Sequence, residues 1–380
     1  MIQRHFWQKL VEAAWRERSI VWLAGVRRAG KTVLSQTLEN IHYYDCELPR
    51  VRRMLEDPEG FLEGLGAGRI VLDEIHRLQN PSELLKIAAD HYPRVRILAT
   101  GSSSLGATSK FRDTLAGRKR DIWLTPMGLD DLADAGRPDL RHRLLHGGLP
   151  PFFLAEPIPE RDFQEWMDAF WAKDIQELFR LERRSSFQRF IELLMAQSGG
   201  IFEATKFAGP CEAGRSTIGN YLKVLEATFV AHVIRPFSSH RPTEIVAAPK
   251  VYGFDTGFVC YYRGWQTVRP DDLGFLWEHF ALNELMAKLQ SREIFYWRDK
   301  RGHEVDFILT RPRQRPLALE CKWSARDFDA ANLKAFRRQY PHGENVVVAH
   351  DVERPFERAY DPITVRFEGL ATLTAGLARP

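Results

Sequence analysis

The chain has 380 residues, of which 44% are apolar and 27% charged, with a net charge of +4 and an isoelectric point of about 8.8. This composition predicts a soluble globular protein of two or three domains, and a charge this small does not by itself indicate a nucleic-acid partner. No apolar run of about 18 residues occurs, the N-terminal stretch carries charges throughout, and the four cysteines form no C-x-x-C pair. We therefore expect a cytoplasmic protein without a membrane span, a disulfide framework or a zinc site.

The first third of the chain alternates helices with apolar strands. Residues 4–18 predict an amphipathic helix with one apolar side, formed by Phe6, Leu10, Val11 and Trp15. Five strands are predicted after it, at residues 19–25, 41–47, 69–76, 94–102 and 121–127, with a helix at 82–92 between the third and the fourth. This alternation is typical of an α/β fold with a parallel, doubly wound sheet.

The pattern changes after about residue 130. Residues 131–195 are charge-rich and predict mostly helix. Further strands are predicted at residues 229–237, 249–257, 292–299, 304–310 and 316–324, together with a strong helix at 276–289 and a final α/β stretch. We find no internal repeat and no low-complexity tail.

The segment GVRRAGKT, which follows the first strand, matches the Walker A pattern through Gly25, Gly30, Lys31 and Thr32. Glycines let the backbone wrap around phosphates, and the helix that follows directs its positive end toward them. Lys31 would reach the β- and γ-phosphates of ATP, and Thr32 would bind Mg²⁺. The alternative is a glycine turn that matches by chance, but a position between a strand and a helix favours the phosphate site.

Two later strands end in polar residues that suit the same site. The segment RIVLDEIHR ends its apolar run at Asp73, which would orient Mg²⁺, and Glu74, which would polarise the attacking water. These acids can instead cap the next helix. The following strand ends in ILATGSSS, where Thr100 and Ser102 are candidates to contact the γ-phosphate or the water.

The last third contains acids with a spacing used in nucleases. Asp306 lies on the predicted strand EVDFIL, and Glu320 and Lys322 lie two residues apart on the next strand, so they share a face. Two carboxylates and a lysine can hold Mg²⁺ and activate water for phosphodiester cleavage. This is the pattern of the PD-(D/E)XK nuclease fold, in which Glu278 on the preceding helix matches an additional acid. The acids can also simply pair with Lys322, Arg298 or Arg301.

Two segments have the composition of a nucleic-acid surface. In residues 215–230, one helical face is apolar and the other polar, with Ile218, Tyr221, Leu222 and Leu225 on the first and Arg215, Thr217, Asn220 and Lys223 largely off it. Such a helix can enter a DNA groove and contact phosphates, or it can be an ordinary surface helix or a protein contact. Between the acid-bearing strands, three arginines suit a nucleic-acid backbone: Arg311, Arg313 and Arg315.

Taken in order, these segments resemble a prokaryotic family of AAA-type ATPases with a nuclease-like C-terminal domain. The residues that carry the resemblance span about residues 20–325, in the segments GVRRAGKT, VLDEIHR, LATGSSS, LAGR, KVYGFDTG, LWEHFALNEL, GHEVDFIL and LALECKWS. The resemblance implies an AAA+ P-loop ATPase domain at residues 1–130, a helical lid or linker at 131–185, a winged helix at 186–245 and a nuclease-like domain at 246–380. In AAA+ ATPases an arginine before the last strand reaches the neighbouring subunit's site, which here indicates Arg118 first and Arg112 second.

The sequence therefore predicts an ATP- and Mg²⁺-dependent AAA+ ATPase that binds DNA and assembles as a homo-oligomer, with a hexameric ring as one form. Hydrolysis would drive translocation, strand separation or junction migration. Two alternatives remain. One is a DNA endonuclease gated by ATP, as a defence system would use, and the other is an ATP-controlled switch that binds protein partners. A nuclease-like fold can also persist as a DNA-binding platform that does not cut.

Overall fold

A computed structural model describes residues 2–101, 109–156, 158, 160–176, 179, 181, 183–238, 248–310 and 315–377. The chain folds into two compact units that are interleaved along the sequence. The N-terminal unit contains Met1–Asp139, Leu149–Glu182 and Lys223–Val230. The C-terminal unit contains Leu140–Gly148, Arg183–Leu222 and Ala231–Pro380.

The N-terminal unit is built on a five-stranded sheet in which every neighbouring pair is parallel. Its order is β2-β3-β4-β1-β5, for strands β1 Ile20–Ala24, β2 His42–Asp45, β3 Gly68–Asp73, β4 Val95–Thr100 and β5 Lys119–Trp123. All residues of β1 are buried, as expected for a central strand covered on both faces. The predicted α/β fold with a parallel sheet is thereby confirmed.

Short helices connect these strands, and a longer one precedes them. Their bounds are His5–Glu17, Lys31–Gln36, Pro49–Met54, Pro58–Leu65, Pro81–His91, Ser109–Thr114, Leu129–Asp134, Pro150–Phe153 and Glu160–Phe170, followed by a π-helical turn at Trp171–Gln176. The predicted inner face of the first helix is partly wrong. Trp7 and Ala14 are buried beside Val11 and Trp15, whereas Phe6 and Leu10 are only half-buried. The indole of Trp15, one of the residues predicted on this face, donates to the Ile97 carbonyl at 3.2 Å.

A buried ion pair fixes the N-terminal residues against the sheet. The Arg4 guanidinium binds both carboxylate oxygens of Asp131, at 2.9 and 2.7 Å. It also donates to the carbonyls of Ala29 at 2.9 Å and Thr125 at 3.1 Å. Burial would raise the pKa of Asp131, but the charge and hydrogen bonds of Arg4, together with the Gly128 amide and the Trp7 indole, lower it overall. Arg4 therefore links the loop at Ala29 to Thr125 and Asp131 through charge-assisted hydrogen bonds.

The C-terminal unit is built on a nine-stranded mixed sheet with the order β13-β14-β12-β11-β10-β9-β7-β8-β6. The strands are β6 Gly200–Ile201, β7 Ala231–Pro236, β8 Lys250–Gly253, β9 Ile294–Arg298, β10 Glu304–Leu309, β11 Leu317–Lys322, β12 Asn345–Ala349, β13 Phe356–Tyr360 and β14 Ile363–Glu368. The helices begin and end at Leu140–His146, Arg184–Ala196, Ala204–Ala208, Thr256–Tyr262, Pro270–Leu289, Ala331–Gln339 and Leu370–Leu377, and Arg215–Ala227 has its last turns in the N-terminal unit. Within the described ranges, none of the helices has the length and apolar character needed to cross a membrane.

Between residues 184 and 253, the described elements follow the order helix, β6, helix, helix, β7 and β8. Strand β8 pairs antiparallel with both β6 and β7, and β7 also joins β9. Phe190 packs against Phe202, Phe207 and Tyr221, with ring centroids 5.4 to 6.2 Å apart. The predicted apolar face of the helix Arg215–Ala227 is buried, and its Tyr221 contacts Phe187 and Phe190.

Candidate functional site

The Walker A segment forms a tight loop between β1 and the helix Lys31–Gln36. Gly25 has a φ of 156°, and a Cβ there would lie 2.6 Å from the Leu124 carbonyl oxygen. Gly30 has a φ of 95°, in the left-handed region that favours glycine. The Lys31 ammonium donates to the carbonyls of Gly25 at 2.8 Å and Val26 at 3.1 Å. Burial lowers the pKa of Lys31, although Glu74 and Asp174 oppose this.

Asp73, at the end of β3, accepts hydrogen bonds from three hydroxyl groups. Thr32 Oγ1 donates to its Oδ2 at 2.8 Å, and Tyr43 from β2 donates to the same oxygen at 2.5 Å. Thr100 from β4 donates to the other oxygen and accepts from the Glu74 amide at 3.2 Å. Burial and Asp73 raise the pKa of Tyr43, so this phenol stays a donor. Thr100, predicted to contact phosphate or water, thus binds Asp73, and Tyr43 was not predicted at all.

Glu74 follows Asp73 with its backbone in the left-handed region, at a φ of 53°. Its Oε2 lies 3.1 Å from His76 Nδ1 on the next turn. Burial would raise the pKa of Glu74, but His76, Lys31 and Arg27 together lower it. The residue is therefore an ionised carboxylate, as a group that polarises water must be.

A cavity of about 590 Å³ opens in front of these residues, within the range of small-molecule sites. The Walker A residues, Glu74 and His76 line one side of it. The helical segment after residue 149 lines another, through Pro150, Pro151, Leu154, Lys173 and Asp174. Asp174 pairs with Arg27 of the loop, with Oδ2 2.9 Å from Nε. No sequence pattern links these two residues, which are 147 positions apart.

Of the two candidate arginines before β5, the structure describes the side chain of Arg118 only. Arg118 binds both carboxylate oxygens of Asp90, at 2.7 and 3.0 Å, on the helix Pro81–His91. The side chains of this pair are 35% and 31% exposed, so the guanidinium is accessible from outside. The side chain of Arg112 and the whole of Ser102 lie outside the described residues.

The predicted acid site of the C-terminal unit comes together on neighbouring strands. Phe307 of β10 lies opposite Leu319 of β11, which places Asp306 opposite Glu320. The Lys322 ammonium lies 2.7 Å from Glu320 and 3.9 Å from Asp306. Burial, reinforced by each acid's negative neighbours, raises the pKa of both carboxyl groups. Glu320 is 1% exposed, and its Oε1 has no hydrogen-bond partner among the described residues.

Glu278 reaches the same region but pairs with residues that the sequence did not indicate. Lys250 of β8 donates to it at 3.1 Å, and the Tyr252 hydroxyl donates at 2.5 Å. Lys250 also binds Glu304 at 2.7 Å, so one ammonium bridges two carboxylates. Burial would lower the pKa of Lys250, but these acids raise it. Arg298, one of the alternative partners, approaches Glu304 instead, at 3.7 Å.

Among the described residues, no group of three or more His, Cys, Asp or Glu side chains is arranged to hold a metal ion. The four cysteines are buried thiols. Asp306 and Glu320, the pair that the spacing indicated, are instead paired with the Lys322 ammonium.

The predicted nucleic-acid residues are mostly at the surface. Arg215, Asn220 and Lys223 are exposed and Thr217 is half-buried, on the helix face opposite its buried side. Arg315 is exposed beside a cavity that Glu344 and Arg366 also line. Arg311 and Arg313 lie outside the described residues.

Comparison with known proteins agrees with the N-terminal site. Residues 17–133 match the family model described as an AAA domain. Together with the parallel sheet and the Walker A loop, this match identifies an AAA-type P-loop ATPase domain. Residues 137–269 and 273–366 match two models described as domains of unknown function, DUF8612 and DUF4143. The winged helix and the nuclease-like domain consequently remain predictions.

Two mycobacterial proteins and one archaeal structure are similar to this chain. The uncharacterized proteins Rv2008c of Mycobacterium tuberculosis and Mb2031c of Mycobacterium bovis are each 28% identical over 334 residues, covering 85% of this chain and 74% of theirs. Among solved structures, the Walker-type ATPase PABY2304 of Pyrococcus abyssi is similar at 16% identity, covering 69% of this chain and 96% of its own, with a TM-score of 0.45.

Replacing Lys31 tests the nucleotide site directly. Lys31→Ala removes the cation that would meet the phosphates, and we expect ATP turnover to fall by roughly 100-fold or more. The unfolding midpoint should hardly change, because the Lys31 ammonium binds only backbone carbonyls of its own loop. The matched control is Lys86→Ala, on the exposed side of the helix Pro81–His91. Turnover at the wild-type rate in Lys31→Ala, measured by phosphate release, would refute the assignment.

Proposed function

We propose that this protein is an ATP- and Mg²⁺-dependent AAA+ ATPase that acts on DNA as a homo-oligomer. Gly25, Gly30 and Lys31 would hold the phosphates, and Thr32 and Asp73 would hold Mg²⁺. The hydroxyl and carboxylate oxygens of these last two residues, 2.8 Å apart, are the hard donors that Mg²⁺ prefers. The ion would supply charge neutralisation of the phosphates. Glu74, held as an ionised carboxylate, would orient the attacking water.

The proposal of DNA binding rests on the helix Arg215–Ala227, which has one buried apolar face and one exposed polar face. Its buried face completes a core with Phe187 and Phe190, while Arg215, Asn220 and Lys223 are exposed on the other face. The order helix, strand, helix, helix, strand, strand is that of a winged helix, in which the third helix enters the major groove. Arginine and lysine there would contact phosphates, and asparagine a base edge. Hydrolysis would then drive translocation, strand separation or junction migration.

Oligomerisation is proposed from the position of Arg118. Its pair with Asp90 is partly exposed, and exposed ion pairs contribute little to stability because water screens them. The guanidinium can therefore exchange Asp90 for the γ-phosphate at a neighbouring subunit's site with little loss. A ring, with a hexamer as one form, would supply such a neighbour to each subunit.

Arg118→Ala tests the contribution in trans. We expect nucleotide binding to persist while turnover falls by about 1000-fold, the effect of removing an arginine finger. Asp90→Asn is the control, since it frees Arg118 without removing it, and should leave turnover unchanged or higher. Wild-type turnover should also rise with protein concentration. An active Arg118→Ala variant would move the proposal to Arg112 or end it.

DNA dependence is tested by measuring ATP turnover with single-stranded, duplex and four-way-junction DNA. We expect one form to stimulate turnover. Arg215→Ala combined with Lys223→Ala should weaken binding of every sequence and reduce the slope of log affinity against log salt by about 2. Lys206→Ala, on a neighbouring helix and 61% exposed, is the control cation. No response to any DNA would favour the alternative of an ATP-controlled, protein-binding switch.

An ATP-gated DNA endonuclease is the second candidate function, and the acid site favours it. Asp306 and Glu320 face each other across two strands, with Lys322 in contact with Glu320. The partnerless, buried Oε1 of Glu320 suits an additional cation ligand. When bound there, Mg²⁺ would supply an activated water, and Lys322 would stabilise the charge that develops on the phosphate.

Asp306→Asn and Glu320→Gln separate the two functions. If the site cuts, each variant should lose Mg²⁺-dependent cleavage by at least about 100-fold while DNA-stimulated ATP turnover is retained. Glu357→Gln, on the exposed edge strand β13, is the control. Intact DNA with the wild-type protein, under conditions that stimulate turnover, would leave the fold as a DNA-binding platform and support the motor.

A further inference from the structure

An ion pair links the phosphate loop to the helical segment that follows residue 149. Arg27 Nε lies 2.9 Å from Asp174 Oδ2, and the Asp174 side chain is only 9% exposed. The Trp166 indole donates to the Arg27 carbonyl at 3.0 Å, so the same segment contacts the arginine at its backbone and at its side chain. Both charged residues line the cavity that contains Lys31 and Thr32.

The sign of the Asp174 charge is unexpected for a phosphate site. A nucleotide brings several negative charges into the cavity, and a carboxylate beside the binding cations opposes them. Asp174 stabilises the charged form of Lys31, whereas Arg27 opposes it, so both residues act electrostatically on this lysine. The cation that neutralises Asp174 is itself one of the groups best placed to bind phosphate, because guanidinium and phosphate match in geometry.

The backbone at Asp174 departs from regular α-helix. Residues Trp171–Gln176 form a π-helical turn that continues the helix Glu160–Phe170. Such turns are rare and less stable than α-helix, and they are frequent at functional sites. A side chain held on a turn of this kind can be released by a local rearrangement that leaves the helix before it intact.

We propose that Asp174 competes with a nucleotide phosphate for Arg27. The carboxylate holds the guanidinium until phosphate replaces it, and this exchange releases residues 171–176 from the phosphate loop. Asp174 thereby lowers nucleotide affinity and makes the position of the helical segment depend on occupancy of the site. The proposal depends on the proposed nucleotide binding.

Asp174→Asn is the first test, with Mg²⁺–ADP and the analogue AMP-PNP titrated calorimetrically. Competition predicts binding that is tighter by about 5- to 20-fold. Glu47→Gln is the matched control, because Glu47 lines the same cavity, is 54% exposed and lies 3.7 Å from Arg77 instead of Arg27. An equal gain in the control would mean that only the total charge matters, and weaker binding in Asp174→Asn would mean that Asp174 orients Arg27. Either result overturns the proposal.

Amide hydrogen exchange provides a second test that uses the unmodified chain. AMP-PNP should raise exchange in residues 171–176 of the wild-type protein by several-fold, and Asp174→Asn should show this faster exchange before nucleotide is added. Unchanged or slower exchange on nucleotide binding would contradict the release. If the wild-type protein binds no nucleotide, the proposed function itself fails. If it binds nucleotide through Lys31 but Asp174 has no effect, only this inference fails.

Discussion

The nucleotide site depends on one buried carboxylate, Asp73, and on the three hydroxyl groups that bind it. A buried anion is tolerated only when its oxygens are well hydrogen-bonded, so Thr32, Tyr43 and Thr100 are constrained together. The sheet order explains how they meet. Strand β3 lies between β2 and β4, and parallel strands end at the same edge, so side chains from these three strands converge there with Thr32 of the helix that follows β1. The position of Glu74 follows, since its amide is bonded to Thr100.

Local signals made much of this unit predictable. The Walker A loop and the apolar strands are encoded in short segments, and their order along the chain implies a parallel sheet. The contacts that complete the site are not local. Tyr43 lies in the unremarkable segment HYYD, and Asp174 is far from Arg27 in sequence, so no spacing rule connects them to their partners. For the same reason the inward face of the first helix depended on tertiary contacts, among them Arg4 with Asp131 and Trp15 with the Ile97 carbonyl.

In the acid site, contacts within adjacent strands could be predicted from the sequence, whereas contacts with more distant strands could not. Two-residue alternation and a hairpin register were enough to bring Asp306, Glu320 and Lys322 together, because both rules act within adjacent strands. The environment of Glu278 was not predictable in this way. Its partners Lys250 and Tyr252 come from β8, which pairs with β6 and β7 rather than with either acid-bearing strand. The position of Lys250 therefore depends on how β8 pairs within the sheet. Its ammonium makes Glu278 one member of an ion pair.

The charged groups of both candidate sites are arranged alike. Lys322 contacts Glu320 and approaches Asp306, Lys250 bridges Glu278 and Glu304, and Arg27 binds Asp174. Removing one member of such a buried pair is costly, because it leaves an uncompensated charge. Exchanging it for a ligand of like charge is much cheaper, since each remaining ion keeps a partner. The binding free energy at such a site is then the difference between the ion pairs that form and those that break. Affinity can therefore be modest even when the ion pairs of the protein rearrange. That property would suit an enzyme that must release its nucleotide in every cycle, and the exchange proposed for Asp174 and Arg27 is one case of it.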